Sequence, residues 1–533
     1  MDLLNTLFQS APWGPLRIGL HVVFLLAAVY VLKQALDLRA VTALKHLAKP
    51  RAGFGIAAVL VLVGFGAVLV HQATWQLFGT TRPAFVAFMQ LHDRRQFNPA
   101  HWIQRGRILG AAGTVLAETR AVQTSQGVAA QRYYPFGPDF AHVVGYADPR
   151  FGASGIEAAA NVQLNGGNPD SWQDWGEIGR QVLTQAKRPK GSDVTLTLDA
   201  ALQRLAMERL GDRAGAVVVL RPQDGAVRVL ASSPSFDPNH IDADMFLRAD
   251  PRARLLNRAT AGLYPPGSTF KVVVAAEALD RGFSGRIDCP ADGWTTSGRY
   301  RKIRDHEYYE ARRAGRTWRG HGRIGLDTGL IESSNVFFAQ LGVYLGHDAF
   351  RATTKRFLFN GRISIGAGHS RQQFMRTGRI PRIATSDRYG LAQASIGQGK
   401  VLATPAQMAL IAAAVANDGV AVRPRLIAGE APAVVGRFMR PDTARRLRRI
   451  LRRVVVEGTG RGIDTPGLAI AGKTGTAENP FGATHSWFIG FAPADRPALA
   501  FAVLVEHGGY GSTAAAPIAR DLMVLAKQRG HLP

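Results

Sequence analysis

The sequence predicts an α+β fold: one antiparallel sheet of about five strands with helices on both faces. A smaller extended domain and two N-terminal transmembrane helices are expected to precede it. Three observations carry this. Strand patterns stand early and late in residues 191–533, with helical patterns between them. Two long apolar runs fall in residues 1–73. Hydrophobic residues make up 46% of the 533-residue chain and charged residues 20%, the composition of a globular protein of two or three domains. The expected boundaries are 1–73 for the membrane anchor, 74–190 for the smaller domain and 191–533 for the sheet domain.

Ile18–Leu32 and Phe54–Val70 are the two apolar runs, giving spans of about 16–33 and 54–72. Between them lie Lys33, Arg39, Lys45, Lys49 and Arg51 against Asp37 alone. That excess places the loop in the cytoplasm and everything after Val70 outside it. The net charge of +26 therefore faces anionic lipid or the acidic groups of a cell wall, and nucleic acid is excluded as the everyday partner. The single cysteine, Cys289, permits no internal disulfide, and no Cys/His spacing suits zinc. No metal and no cofactor is expected.

In the smaller domain, Arg105-Gly106-Arg107-Ile108 and Gly113–Ala117 read as strand, turn, strand. A boundary is expected near Lys187–Gly191. Val194–Leu198 alternates as a strand, and Asp199 caps a helix with Leu202, Leu205, Ala206 and Leu210 on one face. Ala216–Leu220 and Ala226–Ala231 flank Pro222-Gln223-Asp224-Gly225 as a hairpin. The stretch Tyr264-Pro265-Pro266-Gly267 is a rigid turn signal, and Val272–Leu279 after it is apolar on nearly every side, hence a buried helix. Arg299–Arg323 reads as a basic surface insertion, with His306 and His321 as ordinary surface or hydrogen-bonded residues. Thr404-Pro405-Ala406-Gln407 gives a cap, a first-turn proline and a capping-box glutamine ahead of Met408–Ala416, with Gly419 past the end. Asp442–Val456 puts Leu447, Ile450, Leu451 and Val454 on one stripe and six arginines on the rest. That basic face suits solvent or, more sharply, a membrane or polymer. Leu468–Ala471, His485–Phe491 and Leu499–Val505 are the late strands, and Pro517–Gln528 closes the chain as a helix.

The chemistry sits in three short motifs. Ser268 and Lys271 lie one helical turn apart at the start of the buried helix. A serine hydroxyl needs a base, and a lysine desolvated by an apolar helix has its pKa lowered enough to be one. Ser333-Ser334-Asn335 precedes an apolar run. Lys473-Thr474-Gly475-Thr476 follows Ala469–Gly472. Ser-x-x-Lys alone is a common chance pattern, its bland meaning an N-cap beside a solvated lysine. The three motifs in this order resemble the active-site set of the penicillin-binding proteins and serine β-lactamases.

Residues 100–530 resemble the class B penicillin-binding proteins, most closely from Val194 onward. Leu263–Lys271, Glu332–Phe338, Gly397-Gln398-Gly399, Ala471–Glu478 and His485–Phe491 carry the likeness. His142–Tyr146 and Gly152–Glu157 look like segments of that family's non-catalytic pedestal. Gly110-Ala111 stands where the family usually has an Asp-Arg pair. The resemblance implies a peptidoglycan D,D-transpeptidase that cross-links stem peptides and that β-lactams acylate. Ser268 would attack, Lys271 act as base and Ser333 pass a proton to the departing amine. Asn335 would order the lysines or hold a substrate carbonyl. Lys473, Thr474 and Thr476 would grip a terminal carboxylate, and Gly475 would let the substrate lie close. The oxyanion hole would be the backbone N–H groups of Ser268 and Thr476. The chain has no room for a glycosyltransferase domain, so a polytopic glycan polymerase in the membrane is the implied partner. The competing readings are a scaffold that activates such a polymerase, a β-lactamase or D,D-carboxypeptidase, and a β-lactam sensor. No Glu-x-x-x-Asn loop of the class A β-lactamase kind stands between Asn335 and Lys473, and the loop before Phe54 is too short for a sensor's effector.

Overall fold

The computed structural model describes residues 61, 64–69, 105–124, 127–148, 150–165, 191–366, 373–480 and 482–533. The expected membrane spans, apart from a few residues, and the boundary at Lys187–Lys190 lie outside these. Among the described residues no helix is long and apolar enough to cross a membrane. The chain divides into two compact units, 1–92 and 93–533. Of the first, residues 64–69 are helical, with Phe65, Val68 and Leu69 exposed.

The second unit opens on a four-stranded sheet. Its strands are β1 (Ile108–Leu109), β2 (Val115–Thr124), β3 (Gly127–Tyr133) and β4 (Val194–Thr195), in the order β3-β2-β1-β4. The expected strand–turn–strand is present, with Ile108 opposite Ala117. Val194–Leu198 is a strand only over its first two residues, and these run parallel to β1, in the smaller sheet. Glu157 is fully buried beside it and accepts from Arg105 and from Arg132, each at 2.6 Å.

A five-stranded sheet follows, built from β5 (Gly215–Leu220), β6 (Val227–Ser233), β7 (Ala471–Ala477), β8 (His485–Ala492) and β9 (Leu499–Val505). Their order is β7-β8-β9-β5-β6 and every pairing is antiparallel. Alternate residues of β9 serve two cores. Ala500, Ala502 and Leu504 face one, and Phe501, Val503 and Val505 face the other. The first core is covered by helices α2 (Lys271–Asp280), α3 (Asn335–Arg356), α4 (Pro405–Ala416) and α5 (Pro441–Val456). The second is covered by α1 (Ala200–Leu210) and α6 (Ala515–Gln528). Helices thus lie on both faces, as the strand and helix order predicts.

Three local expectations need correction. The expected strand Leu468–Ala471 begins only at Ala471, because Ala469 turns left-handed at φ 45°. The strand is instead the Lys473 motif itself. Thr404 caps α4 by accepting from Gln407 N at 3.1 Å, but the Gln407 side chain donates to Phe357 O and closes no capping box. Arg299–Arg323 is not wholly a surface insertion, since Ile303, Asp305 and Ala311 within it are buried. The stripe of α5 is buried as expected. Its basic face is engaged with acids, Arg446 on Asp327, Arg448 on Asp418 and Arg452 on Asp464.

Candidate active site

Ser268 lies in a 3-10 turn, Gly267–Phe270, that runs straight into α2. Nearly every residue of α2 is buried, so the turn is fixed from below. Gly267 has φ 52°, and a side chain there would put its Cβ 2.6 Å from Thr476 O. Only glycine accepts that backbone and that approach. Gly267 N donates to Gly397 O, and on that side a Cβ on Gly397, at φ 72°, would lie 2.1 Å from Gly267 O. Trp487, in the β8 position opposite Gly475, donates from its indole nitrogen to Pro265 O at 2.9 Å. Tyr264 donates to Glu506, which Arg258 also grips at 2.7 Å. The nucleophile turn is therefore bolted to β7, to β8 and to the 397 loop. Ser268 itself is half-exposed.

Lys271 is fully buried. Its ammonium donates to Ser333 O at 2.5 Å, Asn335 Oδ1 at 2.7 Å and Ser333 Oγ at 3.3 Å. Burial pushes its pKa down to about 7, and Asp305 and Glu307 oppose that fall. Ser333 takes φ 60°, a left-handed conformation that costs about 1–2 kcal/mol for a residue with a Cβ. It is this conformation that precedes α3 and presents both Ser333 oxygens to Lys271. Ser334 is buried and caps α3, accepting from Phe337 N while donating to Asp305. Asp305 also accepts from Val336 N at 3.0 Å, and Arg304 O receives the Asn335 amide at 3.0 Å. One face of Asn335 thus holds the base and the other holds the segment before His306.

Lys473 is fully buried on β7, and β7 is an edge strand. Its pKa falls well below the usual lysine range, first through burial and then through the nearby charge of Lys271. Nζ donates to Thr474 O at 3.1 Å. Thr474 Oγ1 is 2.6 Å from Thr459 Oγ1. A side chain at Gly475 would meet Thr269 Cγ2 at 2.8 Å, so β7 and the Ser268 turn are in contact along this stretch. Thr476 is half-exposed.

The structure therefore brings Ser268, Lys271, Ser333, Asn335, Lys473, Thr474, Gly475 and Thr476 together. Among the described residues Ser268 Oγ has no hydrogen-bond partner, and the Lys271 ammonium is held on Ser333 and Asn335. Sequence reasoning did not find Asp305, Glu506 or Thr459, and it met Trp487 only within the His485–Phe491 likeness, without its bond to Pro265. Gly397 was visible in the Gly397-Gln398-Gly399 likeness, though not its seat against Gly267. His306 is exposed on Glu310, as expected of an ordinary residue, whereas His321 is nine-tenths buried, 3.8 Å from both Asp305 and Glu307. No group of His, Cys, Asp and Glu suited to a metal occurs among the described residues.

Comparison with known proteins adds to this geometry. The model of the penicillin-binding protein transpeptidase domain matches residues 215–524, and that of the penicillin-binding protein A dimerisation domain matches residues 105–194. The peptidoglycan D,D-transpeptidase PbpA of Mycolicibacterium smegmatis is 32% identical over 466 residues, covering 80% of this chain and 90% of that protein. The peptidoglycan D,D-transpeptidase MrdA of Acinetobacter baumannii is 32% identical over 449 residues, 72% of this chain and 64% of that one. Among solved structures, the ceftriaxone acyl-enzyme of Mycobacterium tuberculosis penicillin-binding protein A superposes with a TM-score of 0.69 at 30% identity, covering 79% of this chain and 98% of that chain. Pseudomonas aeruginosa PBP2 in complex with WCK 5153 gives 0.65 at 30%, covering 80% and 96%.

Proposed function

The chain belongs to the penicillin-binding proteins and is a peptidoglycan D,D-transpeptidase, and from that premise we propose that Ser268 is its nucleophile and Lys271 its base. Ser268 Oγ attacks the carbonyl of the penultimate D-Ala of a stem peptide, and its proton passes to neutral Lys271. The developing oxyanion is held by the N–H groups of Ser268 and Thr476. As the C–N bond breaks, Ser333 relays a proton to the leaving amine and free D-Ala departs. An amine of a neighbouring stem then attacks the ester, restores the Ser268 hydroxyl and leaves a cross-link. A β-lactam enters by the same first step, but its ring nitrogen stays tethered to the acyl group.

Asn335 orders Lys271 in this reading, and Lys473 with Thr474 and Thr476 holds the terminal carboxylate. Gly475 leaves room for the substrate backbone. The observation that carries the reading is the buried Lys271 amine bonded to both Ser333 and Asn335, because it unites two motifs 62 residues or more apart in sequence. We further propose that residues 1–73 anchor the chain by two spans, with 74–190 a pedestal and 191–533 the transpeptidase domain outside the cytoplasm. The exposed Phe65, Val68 and Leu69 on a helical segment support that anchor. A membrane glycan polymerase is the proposed partner, since cross-linking consumes the glycan strands that polymerisation supplies.

The test is covalent labelling by a fluorescent penicillin. Wild type is expected to carry one label, and Ser268→Ala none. A label that survives Ser268→Ala means that another residue is the nucleophile.

A further inference from the structure

Thr459 belongs to none of the three motifs. It sits in the Gly458-Thr459-Gly460 loop just after α5, exposed to solvent, with its hydroxyl oxygen 2.6 Å from that of Thr474. The loop is pinned on both sides. A Cβ on Gly458 would lie 2.6 Å from Ile331 O, two residues before Ser333, and one on Gly460 would lie 3.4 Å from Val455 Cα. Gly460 N also donates to Val454 O at 3.0 Å. Thr459 is thus fixed between the chain leading to Ser333 and strand β7.

Two hydroxyls in contact share one hydrogen bond and keep one O–H proton over. If Thr459 donates, the Thr474 proton is left for a ligand. The bond also polarises the Thr474 hydroxyl and holds its rotor. An anion at β7 favours that arrangement, because a hydroxyl that meets a carboxylate must donate. We propose that Thr459 is a positioning residue that turns the Thr474 hydroxyl outward to donate to the C-terminal carboxylate of the donor peptide. This rests on the reading of Thr474 as a carboxylate anchor.

The experiment uses the full chain and two acyl-D-alanyl thiolesters, one of thioglycolate and one of thioglycolamide. They differ only in the terminal carboxylate, and the second-order rate of Ser268 acylation is measured for each. Thr459→Val is expected to slow the carboxylate ester about 10-fold, the loss of one well-placed bond to a charge, and the amide ester less than about 2-fold. Thr459→Ser restores the carboxylate rate to within about 2-fold. In a Thr474→Val background, Thr459→Val adds nothing further. An unchanged carboxylate rate in Thr459→Val, or an equal fall on both esters, overturns the role. Failure of the wild type to be acylated by either ester overturns the transpeptidase site itself, and this role with it.

Discussion

Lys271 shows how one side chain is made a base without leaving the core. Burial costs the charged form, and among the described residues only Ser333 and Asn335 supply oxygens to hold its proton. With a pKa near 7, a large share of the molecules carry a neutral amine at neutral pH. The rate of penicillin acylation is therefore expected to rise with pH, half-maximal near pH 7, and to level off above about pH 8. A profile flat from pH 6 to 9 would remove Lys271 from the role. The sign for stability follows from the same shift. Between about pH 7 and the ordinary lysine value near 10.4, the unfolded chain holds a proton that the folded chain has released. The contribution of this group to stability thus rises with pH across that window. Lys473 is also held well below the usual lysine range, by burial and then by the charge of Lys271, so two charged amines side by side are disfavoured until an anion arrives.

At the scale of elements, the site is three pieces of secondary structure whose ends meet: the turn before α2, the turn before α3 and the edge strand β7. The α3 end depends on Asp305, which accepts from Ser334 Oγ and Val336 N in a buried setting. Asp305→Ala leaves Val336 N without an acceptor and Ser334 Oγ with only the Cys289 sulfur at 3.8 Å, and is expected to cost about 1–3 kcal/mol. A urea midpoint that falls, with slower acylation by penicillin, is the expected result; an unmoved midpoint would mean that water replaces the carboxylate freely. The motif residues were legible because each is local: a serine and lysine one turn apart, a cap before an apolar run, a small-residue strand. The buried α2, the Asp199 cap and the hairpin at Pro222–Gly225 were legible for the same reason. Asp305 was not, since its partners lie 29 and 31 residues away and it stands between Arg304 and His306 in a stretch that reads as a basic surface segment. Ser333 gives no sign in sequence of its left-handed backbone, because tertiary contacts with Lys271 impose it. The register of β7 was missed by a few residues, since Leu468–Ile470 is as apolar as a strand and only Ala469's turn excludes it.

For the molecule beyond residue 92, the question is whether the smaller sheet and the large one fold as one body. Ile108, Leu116, Ile156 and Val194 belong to the same continuous core as Leu230 and the α2 residues Val272–Ala276, Ala278 and Leu279. Leu196 forms a bridge with Ile427, and Thr197 Oγ1 donates to Val227 O, so the strand leaving the first sheet is stitched into the second. A shared core of this kind couples the two sheets during unfolding. Glu157 is the place to strike the first sheet alone. Burial opposes its ionisation, but Arg132 and Arg105 outweigh that and hold its carboxyl below the ordinary range. Its stabilising contribution is therefore present above the unfolded value near 4.3 and lost as pH falls through the lower, folded one. Glu157→Ala leaves two guanidiniums buried together without their anion, and breaking such a pair costs about 3–5 kcal/mol. Although Glu157 is assigned no part in catalysis, the temperature at which penicillin labelling is lost is expected to drop with the melting of the whole unit, in one transition. Two separate calorimetric transitions, with labelling surviving the first, would show that the sheets unfold independently despite the core they share.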